Sequence, residues 1–204
     1  MLSSLIILCL SSLAYSATVP IPKKCPTFKQ LQSPRLAESF SLDKFAQNDR
    51  FYEIAYKDLT QPRFCKCITS EKRINGSEIL DNFTIQCAGQ PYSSDLHFEI
   101  TDSPGVFQGT WNQGGISLPW VFPDTVVDVG VNKKTGQYDW VVEFQCLDGA
   151  RGVSFYAFNF YSRVNTDEFY QDMLDVAMAK FPEFVMNGNQ IKKVDHTDCW
   201  YDQE

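Results

Sequence analysis

From Arg50 onward the chain is a run of short segments rich in Val, Ile, Phe, Tyr and Thr, divided by Gly, Pro, Asn and Asp. Segments of this length and spacing are the pattern of an all-β sandwich or barrel. They fall at 50–58, 64–73, 79–88, 95–101, 106–111, 125–132, 138–147 and 153–162. The turn signals at Asn75-Gly76, Ser103-Pro104-Gly105, Lys134-Thr135-Gly136 and Asp148-Gly149 join antiparallel neighbours, so the implied order is an up-and-down meander. Eight such strands suffice to close a small barrel, either filled by its own side chains or holding one ligand.

The pattern changes once. Between Thr166 and Phe181 the residues Phe169, Met173, Ala177 and Phe181 recur every fourth position, which predicts an amphipathic helix packed on the domain and ended by Pro182. A ninth, flanking strand is expected at Gln190 to Asp195. The predicted class is therefore all-β: an eight-stranded antiparallel up-and-down β-barrel with one C-terminal α-helix packed outside.

Residues 1–16 carry no charged side chain, hold an apolar run from Leu5 to Leu10 and end in small residues at Ala14 and Ser16. They read as a secretory signal peptide, which makes 17–204 the domain and the protein secreted and extracellular. No later stretch approaches the roughly 20 apolar residues of a membrane span. The net charge of −7 is spread along the chain and speaks against nucleic acid as a partner. Asn75 and Asn82 begin glycosylation sequons.

Removing the leader removes Cys9 and leaves six cysteines, the even number a disulfide framework needs. Zinc is the poorer reading, because Cys65 and Cys67 form C-x-C and only His97 and His196 stand by to help. If the second and third strands turn on Asn75, Gly76 and Ser77, paired positions sum to about 152 and Cys65 lies opposite Cys87. A slip of one residue would favour another partner. Cys67 then needs a partner from elsewhere, such as Cys199, which leaves Cys25 for Cys146, one of fifteen possible arrangements.

Three places resemble the lipocalins, particularly the apolipoprotein D and bilin-binding type. Leu42-Asp43-Lys44-Phe45 followed by Arg50-Phe51-Tyr52-Glu53-Ile54-Ala55 looks like the opening signature, with Phe51 where the family has tryptophan. The stretch Val126 to Cys146, with Tyr138-Asp139-Trp140-Val141-Val142, resembles the mid-barrel strand pair. Phe160-Tyr161-Ser162-Arg163, the helix and Val194 to Cys199 resemble the last strand, arginine, helix and terminal cysteine in order. The resemblance implies that Arg163 lies across the ring of Phe51 at a closed end, a cation–π contact.

Side chains alternate along a strand, so these anchors set the interior. If Arg163 and Phe51 point inward, so do Phe155, Ala157, Asn159, Tyr161, Glu53 and Ala55, while Phe158 and Phe160 face the helix. If Cys146 points out toward Cys25, Val141, Glu143 and Gln145 point in. Aromatic walls with a few polar groups describe a pocket for a small hydrophobic ligand: fatty acid, retinoid, sterol, carotenoid or bilin. Two other classes stay open. Tyr138 to Cys199 also resembles the lipocalin-like domain of violaxanthin de-epoxidases, implying a carotenoid oxidoreductase, with Glu53 and Glu143 as an acid/base pair. Those enzymes carry a Cys-rich segment before the barrel and a Glu-rich tail after it, whereas only Cys25 precedes the barrel here, so a carrier ranks first. The third class is a protein-binding module with a filled barrel. There is no Gly-rich phosphate loop, G-x-S-x-G or H-E-x-x-H, and no catalytic residue, metal or cofactor is assigned.

Overall fold

The computed structural model describes residues 23–113, 116–150, 152–186 and 191–203; the expected signal peptide at 1–16, with Cys9, lies outside them. Three short helical turns come first, α1 (Phe28–Leu31), α2 (Pro34–Ser39) and α3 (Leu42–Phe45). Local chemistry starts two of them. Pro34 opens α2 while the Ser33 hydroxyl accepts the Leu36 N–H at 3.2 Å, and the Ser41 hydroxyl accepts the Lys44 N–H of α3 at 3.4 Å.

Eight antiparallel strands follow: β1 (Gln47–Lys57), β2 (Lys66–Asn75), β3 (Glu78–Cys87), β4 (Gln90–Ile100), β5 (Val106–Gln113), β6 (Ile116–Val131), β7 (Tyr138–Gly149) and β8 (Gly152–Ser162). Each pairs with its successor, and β1 pairs with both β2 and β8, so the sheet closes as the turn chemistry predicts. The connection between the fifth and sixth strands differs from the expectation. The backbone from Trp111 to Phe122 is hairpin, with Gln113 opposite Ile116, rather than a link between shorter strands. Pro119 falls between the pairs Thr110↔Val121 and Trp111↔Leu118, a bulge, where proline costs no ladder bond.

The β2–β3 hairpin runs one position out of the assumed register, with Thr69 opposite Thr84. A bulge between Lys66 and Thr69, in which Cys67 takes a φ of 53°, brings Lys66 back opposite Gln86. Cys65 therefore meets Cys87 after all, bridged at a Cα–Cα distance of 4.5 Å. The other bridges are Cys25–Cys146 and Cys67–Cys199, each pinning a terminal segment to the barrel.

After β8 come a 3₁₀ turn (Asp167–Phe169), α4 (Tyr170–Lys180), α5 (Pro182–Met186) and β9 (Lys192–Lys193). Met173, Ala177 and Phe181 of the expected stripe are buried against Phe144, Phe158 and Phe160. Pro182 ends α4 and also opens α5, whose Phe184 ring packs 5.1 Å from Phe144. The tail then enters the seam where β1 and β2 part. β9 pairs with Ala55 and Tyr56 on one side, and on the other the Cys67 N–H donates to the Asp195 carbonyl at 2.9 Å.

Candidate functional site

The barrel interior has two halves. In the half beside the β2–β3 turn, Leu36 and Phe45 of the leading helices pack with Phe51, Phe107, Val129, Tyr138 and Val141. The Phe45 and Phe107 rings stack at 5.4 Å, and the Tyr138 hydroxyl accepts the Ser41 N–H at 2.7 Å, fastening the helical segment over the opening. Arg163 closes the same end. Its guanidinium lies 3.6 Å from the Phe51 ring centroid and donates to the carbonyls of Tyr138 and Arg50, both at 3.3 Å.

The other half holds a cavity of about 540 Å³ that reaches Asp58, Thr60, Gln61 and Pro62 of the rim loop 58–65. Phe83, Ile85, Leu96, Phe98, Phe122 and Phe155 supply its apolar walls; Asp81, Glu143, Asn159 and Tyr161 supply a polar floor. That volume and composition fall within the range of small-molecule pockets.

Of the residues expected to line the pocket, Glu143, Phe155, Asn159 and Tyr161 do so. Glu53 is fully buried behind them, its Oε1 accepting from the amides of Asn159 and Gln61. Ala157 is buried opposite Gln145, which lines the cavity in its place. Two assignments need correction. Val141 belongs to the filled half. Ala55 faces outward: β1 bulges between Glu53 and Ala55, so inward parity passes from Glu53 to Tyr56, and Ala55 stands opposite Phe160 in the layer beneath the helices.

The floor contains a charge network that alternation from a misplaced register does not reveal. Lys72 and Asp81 face each other across β2 and β3, and a register one residue off turns Asp81 away from Lys72. The Lys72 ammonium lies 3.2 Å from Asp81, 3.2 Å from Glu143 and 2.7 Å from the Ser70 hydroxyl, and 4.3 Å from the Tyr161 ring centroid. Burial alone would lower its pKa, but Asp81, Glu143 and Asp124 together hold it above the ordinary lysine value, so it is a cation. Burial raises Glu143 despite Lys72, and raises Asp124 well above its ordinary value, helped by the charge of Glu143. Glu53 is pushed up to about 8 by burial, against the hydrogen bonds from Asn159 and Gln61, and holds its proton at neutral pH.

Both histidines are engaged. His97 pairs with Glu78 at 3.1 Å, and His196 contacts the Tyr201 hydroxyl at 2.6 Å and donates from Nε2 to the Glu53 carbonyl at 3.1 Å. Among the described residues there is no cluster of three metal-ligating side chains and no helix long and apolar enough to cross a membrane.

No family model matches the sequence, and no curated protein matches it significantly. Solved structures match over most of the chain. Apocrustacyanin C1 is 13% identical, with 90% of this chain and 94% of that one covered at a TM-score of 0.65. Lobster apocrustacyanin A1 is 14% identical over 90% and 95%, with a TM-score of 0.64. Insecticyanin from the tobacco hornworm Manduca sexta is 16% identical over 87% and 88%, with a TM-score of 0.60. The chain has the lipocalin fold.

Proposed function

We propose that the protein is a secreted carrier that holds one small, mainly apolar molecule in the open half of the barrel. The observation that carries this reading is the cavity of about 540 Å³ walled by Phe83, Phe98, Phe122 and Phe155 above a polar floor. A filled-barrel protein-binding module has no use for such a space. Three disulfides agree with an oxidising compartment, as does Asn75, exposed at a hairpin turn where a glycan fits; Asn82 is half-buried and donates to Asp95 at 3.2 Å. The fold alone does not choose among fatty acid, retinoid, sterol, carotenoid and bilin.

Burial of apolar surface drives binding at about 25 cal/mol per Å², offset by ordering the ligand and desolvating the floor. Titration with retinol, a fluorescent sterol, biliverdin and a fluorescent fatty acid should show one-to-one binding for at least one. Phe155→Trp fills part of the cavity and should weaken that binding about tenfold, near 1.4 kcal/mol, with the fold retained by circular dichroism. If no compound bound, or if Phe155→Trp left the affinity unchanged, the ligand would not sit in this space.

A further inference from the structure

The cavity is lopsided in charge. The carboxyl groups of Asp58, Asp81 and Glu143 line it, and no Lys, Arg or His among the described residues does. Lys72 stands behind the floor, its ammonium paired with Asp81 and Glu143 and donating to the Ser70 hydroxyl, so its charge is already matched by acids and is not held out to an incoming anion. Asp124, 1% exposed, adds a further carboxyl to the same network.

An acceptor, moreover, is left open. Gln61 lines the cavity and its Oε1 is buried without a hydrogen-bond partner. Glu143, 2% exposed, lines the same floor with its Oε1 in an ion pair with Lys72 at 3.2 Å. Buried acceptors without donors are costly, and a ligand that supplies donors recovers that cost.

From this surplus of acids and the open Gln61 acceptor we infer that the cavity takes an apolar molecule with a cationic head, an amine or ammonium placed on the Asp81–Glu143 floor, and selects against a carboxylate. The inference rests on the carrier reading and names the class of its ligand. A carboxylate head would add a fourth acid to a site whose one ammonium is already paired, and like charges at such range repel. A neutral alcohol gives one donor and no charge. An ammonium gives three donors, balances the surplus acid and leaves its chain against Phe83, Phe122 and Phe155.

The test uses one chain length with three heads. Dodecylamine, dodecanol and dodecanoate compete for the barrel against a neutral phenylnaphthylamine probe at neutral pH and physiological salt, which screens attraction to the protein's outer surface. The amine should displace the probe at about tenfold lower concentration than the alcohol, with the carboxylate weakest. Glu143→Gln should narrow the amine's advantage over the alcohol; if that variant fails to fold, Asp58→Asn, in the rim loop, should do so. Dodecanoate matching the amine, the amine no better than the alcohol, or an undiminished preference in the variant tested would overturn the inference while leaving a carrier. A probe and three competitors that all fail to enter would instead remove the carrier reading, and the inference with it.

Discussion

The two halves of the barrel are built from the same eight strands with the same inward alternation, yet one is packed and the other is hollow. The difference lies in what crosses each opening. At the closed end α2 and α3 deliver Leu36 and Phe45 into the interior, and Arg163 lies over Phe51. At the open end the rim is the loop 58–65, whose Leu59 and Phe64 remain 77% and 79% exposed and plug nothing. Stability is thus concentrated where side chains interdigitate, and the capacity to hold a guest where they do not. The two should be separable by mutation.

The largest effect is expected from Phe45→Ala. It removes a fully buried ring stacked on Phe107 and opens a void in the packed half, which costs about 3–5 kcal/mol in denaturant unfolding. Affinity for a barrel ligand should stay within about twofold, a change worth less than 0.5 kcal/mol. A large affinity loss in a folded Phe45→Ala protein would show that the halves are coupled. Arg163→Ala is milder: losing the contact with Phe51 and the hydrogen bonds to two carbonyls should lower stability by about 2 kcal/mol, again with little effect on binding. Thermal unfolding equal to wild type would mean that the guanidinium leaves that ring in solution.

Much of this division is legible in the sequence because it depends on turns and alternation. The hairpin residues define the meander, and Arg163, two residues past Tyr161, orders the inward face of β8 correctly down to Phe155. The failures come from bulges, which shift alternation without altering composition. One between Glu53 and Ala55 turns Ala55 outward. Another at Cys67 offsets a wrong hairpin register, so Cys65 still faces Cys87 although the ladder between them was misplaced. The same misplacement hid the Lys72–Asp81 pair, hence the charge of the floor. The helical turns that fill the closed end are too short for periodicity to mark, and only their Ser and Pro starts betray them.

Glu53 marks the boundary between the halves, two residues from Phe51 along the inward face of β1, and provides the finest test of the comparison. Its pKa rises from 4.5 to about 8 because burial disfavours the charged form more than Asn159 and Gln61 favour it. In the unfolded chain the proton leaves at the ordinary value, so across the window between 4.5 and about 8 the folded protein holds a proton that the unfolded one has lost. Unfolding then releases a proton, and stability falls as pH rises, by at most about 1.4 kcal/mol per unit. Below the window the contribution is fully present, and above it the loss is complete. Asp124 and Glu143, also raised, tilt the wild-type curve in the same direction, so the informative quantity is the difference from Glu53→Gln. The amide stays neutral at every pH and retains an oxygen for Asn159 and Gln61. The variant should match wild type near pH 5 and become the more stable protein toward pH 8, the gap widening by up to about 1 kcal/mol per unit. A gap that stays constant across that range would mean that Glu53 titrates as a solvated carboxyl and that water from the open half reaches down to it.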